Sequence, residues 1–380
     1  MNFVKREILP VGQGAFYLET LRVGGKRYRV IYDCGSATDV TYVEDQIRKN
    51  FVQGAIIDAV FISHLDDDHV NGLEFLLKHC RVRHLFFPLI TSEMQELNEL
   101  MNVINEKGSS SFASRFISTN GRSLEDSDLT LHPISVENQE EGLIAETSAA
   151  IFGSGVENEW VYLPHNFREK GRYRDFISNI AEVNSKLSNG GILDGDKIDL
   201  EKLKHLWNQG TTQDKIEIKE AYRKVPGSLN VNSMTLYSGT RRKTYCRCCC
   251  RYYPRCCREC FEIPYYFENL RLNGCLYTGD YDFGRTATSQ KWKSICSVYE
   301  KYFTNVGLVQ IPHHGSKYNY NSKLRDVTRY AVYFTSAGLN NSYGHPHSEA
   351  VRDLSFNGKI FNCVTESKHS KMTYTTRWCD

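Results

Sequence analysis

The chain has 380 residues and a mass of 43.7 kDa, which suits one large α/β domain with insertions. Hydrophobic residues make up 41% and aromatic residues 12%, which excludes global disorder. The formal net charge of +2 excludes a polycationic coat for nucleic acid and permits only a local basic patch. We find neither an apolar run of the roughly 18 residues that a membrane helix needs nor a secretory signal, and we expect a soluble, cytoplasmic protein.

The first ninety residues predict alternating strands and helices. Residues 16–23 and 27–35 have strand character and flank two glycines, which predicts a β-hairpin. Residues 55–64 form the nearly continuous apolar run expected of a strand covered on both faces. Apolar residues at helical spacing follow at 71–80, and strand character returns at 83–90. This order predicts a layered α/β protein.

From about residue 92 to residue 228 the pattern weakens, and we interpret 92–228 as a partly helical insertion within a single domain that spans 1–380. Inside it we predict a helix over 92–106, a loop over 108–116, strands at LTLHPIS (129–135) and SAAIF (148–152), and charged helices over 166–224. The last third returns to strand character at 232–239, 271–280, 306–316 and 331–338.

The strongest chemical pattern is SHLDDDHVNG, residues 63–72, which follows the predicted buried strand and leads into a helix. It places His64, Asp66, Asp68 and His69 in one turn at the carboxyl end of a strand, where open α/β sheets have their ligand sites. Without a cation, groups packed so tightly would repel one another and lose solvation. The pattern therefore predicts a divalent metal site, and the alternative is a solvated acidic loop.

Three further strand ends carry residue types that ligate metals. Asp280 follows a strand and a glycine in LYTGD, His313 and His314 follow the next strand in VQIPHHGS, and His345 and His347 lie in a Gly/Pro turn before a predicted helix. Each pattern alone is more typical of a surface or hydrogen-bonded residue. Together with the turn at 63–72 they predict one shared site.

This ordered series resembles the metallo-β-lactamase superfamily. SHLDDDHVNG looks like the first metal motif of that superfamily, and its Asp in place of the second His resembles the nuclease-like domain of the competence protein ComEC and its soluble relatives. The segments LPVGQGAFYLE (9–19), IYDCG (31–35) and NVNSMTLYSG (230–239) resemble the accompanying strand motifs. The likeness covers roughly residues 1–90 and 228–365 and implies the four-layer αββα sandwich, with the helical segment and a cysteine-rich hairpin as insertions.

The resemblance also implies a site with two metal ions. One metal would be held by His64, Asp66 and His314, the other by Asp68, His69 and His345, and Asp280 would bridge the pair. Asp68 and His313 are the candidate catalytic residues, with His313 able to donate a proton or a hydrogen bond to the substrate, although the ligand could be either His313 or His314. We expect Asp67 to face solvent or to orient a ligand.

The predicted ligand set favours hydrolysis. Two divalent ions about 3.5–4 Å apart lower the pKa of a shared water toward roughly 7 and clamp the attacking and leaving oxygens. Asp66 in place of an imidazole makes the site harder, which favours manganese over zinc and phosphate oxygens over amide carbonyls. The leading hypothesis is a DNA or RNA nuclease, in nucleic-acid processing or antiviral defence. A small-molecule phosphodiesterase, another esterase of this fold and a non-catalytic partner-binding module are the alternatives.

The predicted hairpin insertion over 240–270 is rich in cysteine and arginine. It contains seven of the thirteen cysteines, namely Cys246, Cys248, Cys249, Cys250, Cys256, Cys257 and Cys260. Three interpretations remain open: a structural zinc site, a nucleic-acid or protein contact through residues such as Arg251 and Tyr252, and a tip with neither role whose thiols stay reduced. The paired C-x-x-C spacing of strong zinc modules is missing, and the tip should lie roughly 25–30 Å from the metals.

Overall fold

The structure is a computed structural model that describes residues 2–96, 99, 112–124, 128–135, 140–153, 159–167, 175–179, 193–194, 197–223, 233–241 and 272–378. The chain divides into two compact units. Met1–Pro88, Asp126–Phe167 and Ser233–Asp380 form the sheet unit, and Leu89–Glu125 and Arg168–Asn232 form the insertion unit. The predicted cysteine and arginine hairpin lies outside the described residues from position 242 onward, with all the cysteines of its cluster.

The described strands are, in chain order, β1 (Asn2–Ile8), β2 (Phe16–Val23), β3 (Lys26–Cys34), β4 (Ile56–Phe61), β5 (Arg81–Pro88), β6 (Thr130–Ile134), β7 (Trp160–His165), β8 (Leu193–Asp194), β9 (Lys197–Ile198), β10 (Thr235–Thr240), β11 (Gly274–Tyr277), β12 (Val306–Gln310), β13 (Val332–Ser336), β14 (Phe361–Val364) and β15 (Met372–Trp378). The α-helices are Val40–Asn50, Asp67–Val70, Leu73–His79, Phe112–Thr119, Glu140–Phe152, Leu200–Gln209, Thr212–Arg223, Gln290–Tyr299, Lys323–Val327 and Ser348–Phe356.

Thirteen of these strands form two mixed sheets in the sheet unit. The seven-stranded sheet has the order β15-β1-β2-β3-β4-β5-β6, and the six-stranded sheet has the order β14-β13-β12-β11-β10-β7. The predicted hairpin β2–β3 turns at two glycines that both have positive φ, as tight hairpin turns require. Strands β10 and β11 also pair antiparallel, as predicted, and β11 to β14 run parallel. The parallel strands bring their carboxyl ends to one edge of each sheet.

The two sheets pack face to face on a shared aromatic core. Tyr32 and Tyr17 of the first sheet stack on Tyr277 of the second, with ring centroids 4.9 and 6.0 Å apart. Phe61 stacks on Tyr162 at 5.7 Å. Helices cover the sheets and contribute to the buried residues, as Gln290–Tyr299 and Glu140–Phe152 show. The fold is therefore the α/β sandwich that the sequence predicts.

A buried ion pair also joins the sheets. Arg6 Nε on β1 donates a hydrogen bond to Glu19 Oε2 on β2 at 2.7 Å. The same guanidinium donates to the carbonyl oxygens of Asn273 and Ser238, and the Tyr162 hydroxyl donates to Glu19. Because both charged groups make several hydrogen bonds, the pair is tolerated in the core, whereas loss of one partner from such a pair costs about 3–5 kcal/mol.

Two predicted elements of the middle segment are wrong. The predicted strand 148–152 is the end of the helix Glu140–Phe152, and the predicted loop 108–116 contains the start of the helix Phe112–Thr119. A short apolar run looks alike in a buried strand and in a buried helix, which explains the first error. Strand β6 pairs with β5, and strand β7 pairs with β10. The segment Asp126–Phe167, which contains β6 and β7, therefore belongs to the sandwich and not to an insertion.

The described part of the insertion unit is mostly helical, as predicted, but residues 193–198 of the predicted helical range 166–224 contain two short strands. Residues 92–96 are helical, and the helices Phe112–Thr119, Leu200–Gln209 and Thr212–Arg223 accompany the two-stranded sheet β8-β9. Lys215 and Lys219 place their ammonium groups over the ring of the buried Trp207.

Across all the ranges the structure describes, in either unit, no helix has the length and apolarity to cross a bilayer.

Candidate metal centre

Loops from both sheets meet at the carboxyl ends of their parallel strands. The turn after β4 supplies His64, Asp68 and His69, the loop after β11 supplies Asp280, and the loop after β12 supplies His314. In two overlapping groups, His64 with Asp68 and His69, and His69 with Asp280 and His314, the ligand atoms all lie within 4.8 Å of one another. The structure thus brings together five of the seven predicted ligands.

The shortest distances run between imidazole nitrogens and carboxylate oxygens. His314 Nε2 lies 3.1 Å from Asp68 Oδ2, and His69 Nε2 lies 3.3 Å from Asp280 Oδ1. His64 Nε2 lies 3.7 Å from Asp280 Oδ2. Asp280 therefore lies between the two histidines of the first motif, where a bridging carboxylate is predicted.

Buried polar atoms without hydrogen-bond partners show that a cation fits this cluster. Among the described residues, His64 Nε2, His69 Nε2 and Asp280 Oδ1 are buried and make no hydrogen bond. Buried polar atoms are almost always paired, because an unpaired one costs about 1–3 kcal/mol. All three atoms are good divalent-metal ligands and they face one another, so a shared metal ion would satisfy them together.

The electrostatics of the cluster call for positive charge. Burial alone would raise the pKa of Asp280, but the charges of His69 and His64 hold that pKa well below its usual value. Burial would likewise raise the pKa of Asp68, and His69 with His314 lowers it to about 2. Burial would lower the pKa of His69, yet the carboxylates around it raise that pKa well above its usual value. The carboxylates therefore stay ionised. Protonated histidines balance their negative charge, and a divalent cation could provide the same positive charge.

Asp33, which is not among the predicted site residues, orients the first motif. This fully buried residue at the end of β3 has a positive φ of 57°. Its Oδ2 accepts a hydrogen bond from His69 Nδ1 at 2.8 Å, and its two oxygens also accept from the backbone and side chain of Ser63. The bond from Nδ1 leaves His69 Nε2 as the nitrogen that faces the cluster. The signal in the sequence was the carboxylate of IYDCG at a strand end.

His314 is oriented in the same way from the second sheet. Its Nδ1 donates to the carbonyl oxygen of Ser336 on β13 at 2.8 Å, which directs Nε2 at Asp68. The resemblance grouped His314 with His64 and Asp66. The distances place it instead beside Asp68 and in the group with His69 and Asp280.

The remaining predicted residues of the first motif lie at the edge of the cluster. Asp66 Oδ2 is 3.5 Å from His64 Nε2, but its side chain is 43% exposed and it belongs to neither ligand group. Asp67 is exposed, at the start of a one-turn helix. Asp66 is therefore positioned to ligate a metal only from the solvent side.

The later histidines form the rim of the site. His313 is 41% exposed, its Nε2 lies 3.5 Å from Asp280 Oδ2, and its Nδ1 lies 3.1 Å from Asn319 Oδ1. The ring of His345 lies 5.4 Å from that of His313, and burial lowers the pKa of His345 to about 4. His345 Nδ1 is another buried atom that makes no hydrogen bond. His347 Nδ1 accepts a hydrogen bond from the backbone N–H of Lys317 at 3.3 Å, and His347 belongs to neither ligand group.

The loops approach one another so closely that glycine is required. Gly279, directly before Asp280, has a φ of 51°, and a Cβ atom there would lie 2.5 Å from Ser63 Cβ. A Cβ atom on Gly35 would lie 2.5 Å from the carbonyl carbon of Asp68. These two glycines let the turn after β4 pack against the ends of β3 and β11.

Fold and site together define a class: a two-sheet α/β sandwich with a cluster of His and Asp residues at the strand ends. Residues 15–100 match the family model of the metallo-beta-lactamase superfamily. The match and the cluster support a metal-dependent hydrolase in general.

A provisionally assigned metallo-beta-lactamase from Thermotoga maritima is similar to this chain at 16% identity, and the similarity covers 50% of this chain and 93% of that one. The TM-score is 0.24, which is too low to support an argument about either fold. No curated protein matches the chain.

Proposed function

We propose that this protein is a phosphodiesterase that cleaves a nucleic-acid strand, DNA or RNA, with two divalent metal ions. The observation that carries the proposal is the ligand set of mixed imidazoles and carboxylates, in which Asp68 and Asp280 lie inside the cluster and Asp66 lies at its edge. Carboxylate oxygens suit hard cations such as manganese, and hard cations bind phosphate oxygens well. Zinc is the alternative metal, and a nuclease assay with each metal distinguishes it from manganese.

The residues that would hold the metals are those of the two ligand groups, with Asp66 and His345 as outer ligands. When bound, divalent ions would act as Lewis acids that lower the pKa of a water and stabilise negative charge on a phosphate. The protein prepares the ligands, because Asp33 and the Ser336 carbonyl hold the Nδ1 protons of His69 and His314 away from the cluster.

His313 is placed to handle a proton. The Asn319 amide donates to the backbone oxygen of Asp280, so its own Oδ1 accepts from His313 Nδ1. The Nε2 atom then faces the site beside Asp280 and is the atom that exchanges a proton. Because His313 is partly exposed, it can reach the oxygen of a departing strand while the buried histidines hold their positions. This supports His313 as the group that protonates the leaving group.

A nuclease assay across metals tests the proposal. We expect purified protein with manganese to cleave single-stranded DNA or RNA, and Asp68→Ala to reduce the rate by at least about 100-fold, because the variant loses a ligand. Asp45→Ala, in an exposed carboxylate on the helix Val40–Asn50, is the matched control and should retain the parent rate.

Equal cleavage by the parent and by Asp68→Ala would sink the proposal, because the activity would then come from a contaminant. Turnover of bis(p-nitrophenyl) phosphate without cleavage of any polynucleotide would assign the small-molecule phosphodiesterase instead. Zinc-dependent activity that manganese does not support would keep the reaction and change the metal.

A further inference from the structure

We propose that two exposed tyrosines, Tyr318 and Tyr343, bind unpaired bases of the nucleic-acid strand beside the candidate metal centre. The inference rests on the proposed function and narrows its substrate to a strand with accessible bases, in preference to a duplex. Tyr318 and Tyr343 lie on the rim of the site and belong neither to the predicted ligand set nor to the family motif.

Both tyrosines lie on loops that supply the centre. Tyr318 follows His314 in the loop after β12, and Tyr343 precedes His345 in the loop after β13. The two side chains are 55% and 66% exposed, and large aromatic rings left open beside a site commonly mark a binding surface. Both rings are therefore open to a substrate on the loops that carry His314 and His345.

Contacts between rings connect the tyrosines to the centre. Tyr343 stacks on His345 with ring centroids 5.7 Å apart and planes 22° apart. Tyr318 packs edge-on against His347 at 5.8 Å, and His347 in turn lies 4.9 Å from His345. These histidines fix the tyrosine rings from the protein side. The high exposure of Tyr343 shows that His345 covers only part of its ring, so that a base can stack on the rest.

Two cationic side chains lie beside the ring of Tyr318. The Arg285 guanidinium lies 5.2 Å from the ring centroid of Tyr318, and Lys317 Nζ lies 5.4 Å from it. Glu349 balances Lys317 through an ion pair, so Arg285 carries the net charge of this rim. A cation beside an aromatic ring attracts the phosphate of a stacked nucleotide. The same cations repel a quaternary ammonium, which disfavours choline esters among small phosphodiesters.

Stacking on a protein ring selects unpaired bases. In a duplex both faces of a base are covered by its neighbours, whereas a single strand can turn its bases onto tyrosine rings. Loss of one such stacking residue weakens binding by about 5- to 150-fold. Two rings that pack against His345 and His347 can hold nucleotides next to the scissile phosphate.

Binding of a labelled strand tests the inference without turnover. The probe is a fluorescent phosphorothioate single strand, which resists hydrolysis, followed by fluorescence anisotropy in manganese. We expect Tyr318→Ala and Tyr343→Ala each to raise Kd at least about 5-fold, and the corresponding Phe variants to stay within about twofold of the parent, because the ring is retained. Tyr330→Ala is the control, since Tyr330 is 44% exposed beside Arg329 but precedes β13.

A strand with abasic sites separates stacking from other effects. The parent should bind it weakly, and the alanine variants should lose no further affinity for it. Unchanged affinity of the alanine variants for the normal strand, or an equal loss for the normal and abasic strands, would overturn the inference. If tyrosine-dependent binding is found but no phosphodiester is cleaved, the proposed function fails and this inference stands. If cleavage occurs with tyrosine-independent binding, this inference alone fails.

Discussion

Asp33 and Asp58 are two buried carboxylates of the first sheet with different roles. Asp33 lies beneath the candidate metal centre and accepts from His69. Asp58, near the start of β4, accepts from the backbone of Arg29 and from the side chain of Arg83. The first fixes the orientation of a ligand, and the second fixes the neighbouring strands.

Replacing Asp33 should therefore act on metal binding. We expect Asp33→Asn to lower manganese affinity roughly 10- to 100-fold, because an amide is uncharged and holds His69 less firmly in the required tautomer. Asp58→Asn should lower the free energy of unfolding with little effect on affinity. Titration calorimetry on the metal-free protein measures the first effect, and urea unfolding measures the second. Equal manganese affinities in the parent and Asp33→Asn would contradict the role given to Asp33.

His165 predicts a specific dependence of stability on pH. Burial lowers the pKa of His165 to about 4, from a value near 6.5 in unfolded chains. Between these values the unfolded chain binds a proton that the folded chain does not, so the free energy of unfolding falls as the pH falls from about 6.5 toward 4. From pH 7 to pH 5 the loss should be about 2 kcal/mol.

Urea unfolding at several pH values checks this sign. His165→Gln should remove that part of the loss below pH 6.5, while His369→Gln, at an exposed histidine, should keep it. An identical pH dependence in the parent and His165→Gln would rule out His165 as the source.

Among residues, the sequence predicted those whose motif is local and left out those whose role depends on packing. His64, Asp68 and His69 stand within one turn, so their shared site follows from spacing alone. Asp33 and Tyr318 gain their roles through contacts with residues far along the chain or on another loop. No periodicity encodes such contacts, and only the packed fold displays them.

At the scale of elements, regular patterns predicted well and buried helices did not. The hairpin β2–β3 has alternating residues and two turn glycines, and it formed as expected. The helix Glu140–Phe152 buries one face, on which Thr147 contacts β7, but alanines on its exposed face hide the helical period, and its last turn was mistaken for a strand. Strands β1 and β15 pair with each other although they lie far apart in the sequence, and no local sequence pattern predicts that pairing.

The whole molecule places its candidate metal centre between the two sheets. His69 belongs to the first sheet's loops and His314 to those of the second, so bound metal would cross-link the halves of the sandwich. A ligand that binds only the folded state at 100 times its Kd stabilises that state by about 2.7 kcal/mol. We therefore expect EDTA to lower the thermal midpoint of the parent, and added manganese to restore it.

The Asp68→Ala variant provides the control for that experiment, because its midpoint should respond little to either addition. Calorimetry or fluorescence melts record the shift. A parent midpoint that is the same in EDTA and in manganese would contradict metal binding between the sheets.

The Arg6–Glu19 pair has a consequence for how this sequence can vary. Either partner alone would leave a bare charge inside the sandwich, so a single substitution at one position meets a barrier that a joint replacement by two apolar residues avoids. Relatives should therefore keep both residues or lack both, and sequences that carry only one of the two charged residues should be rare.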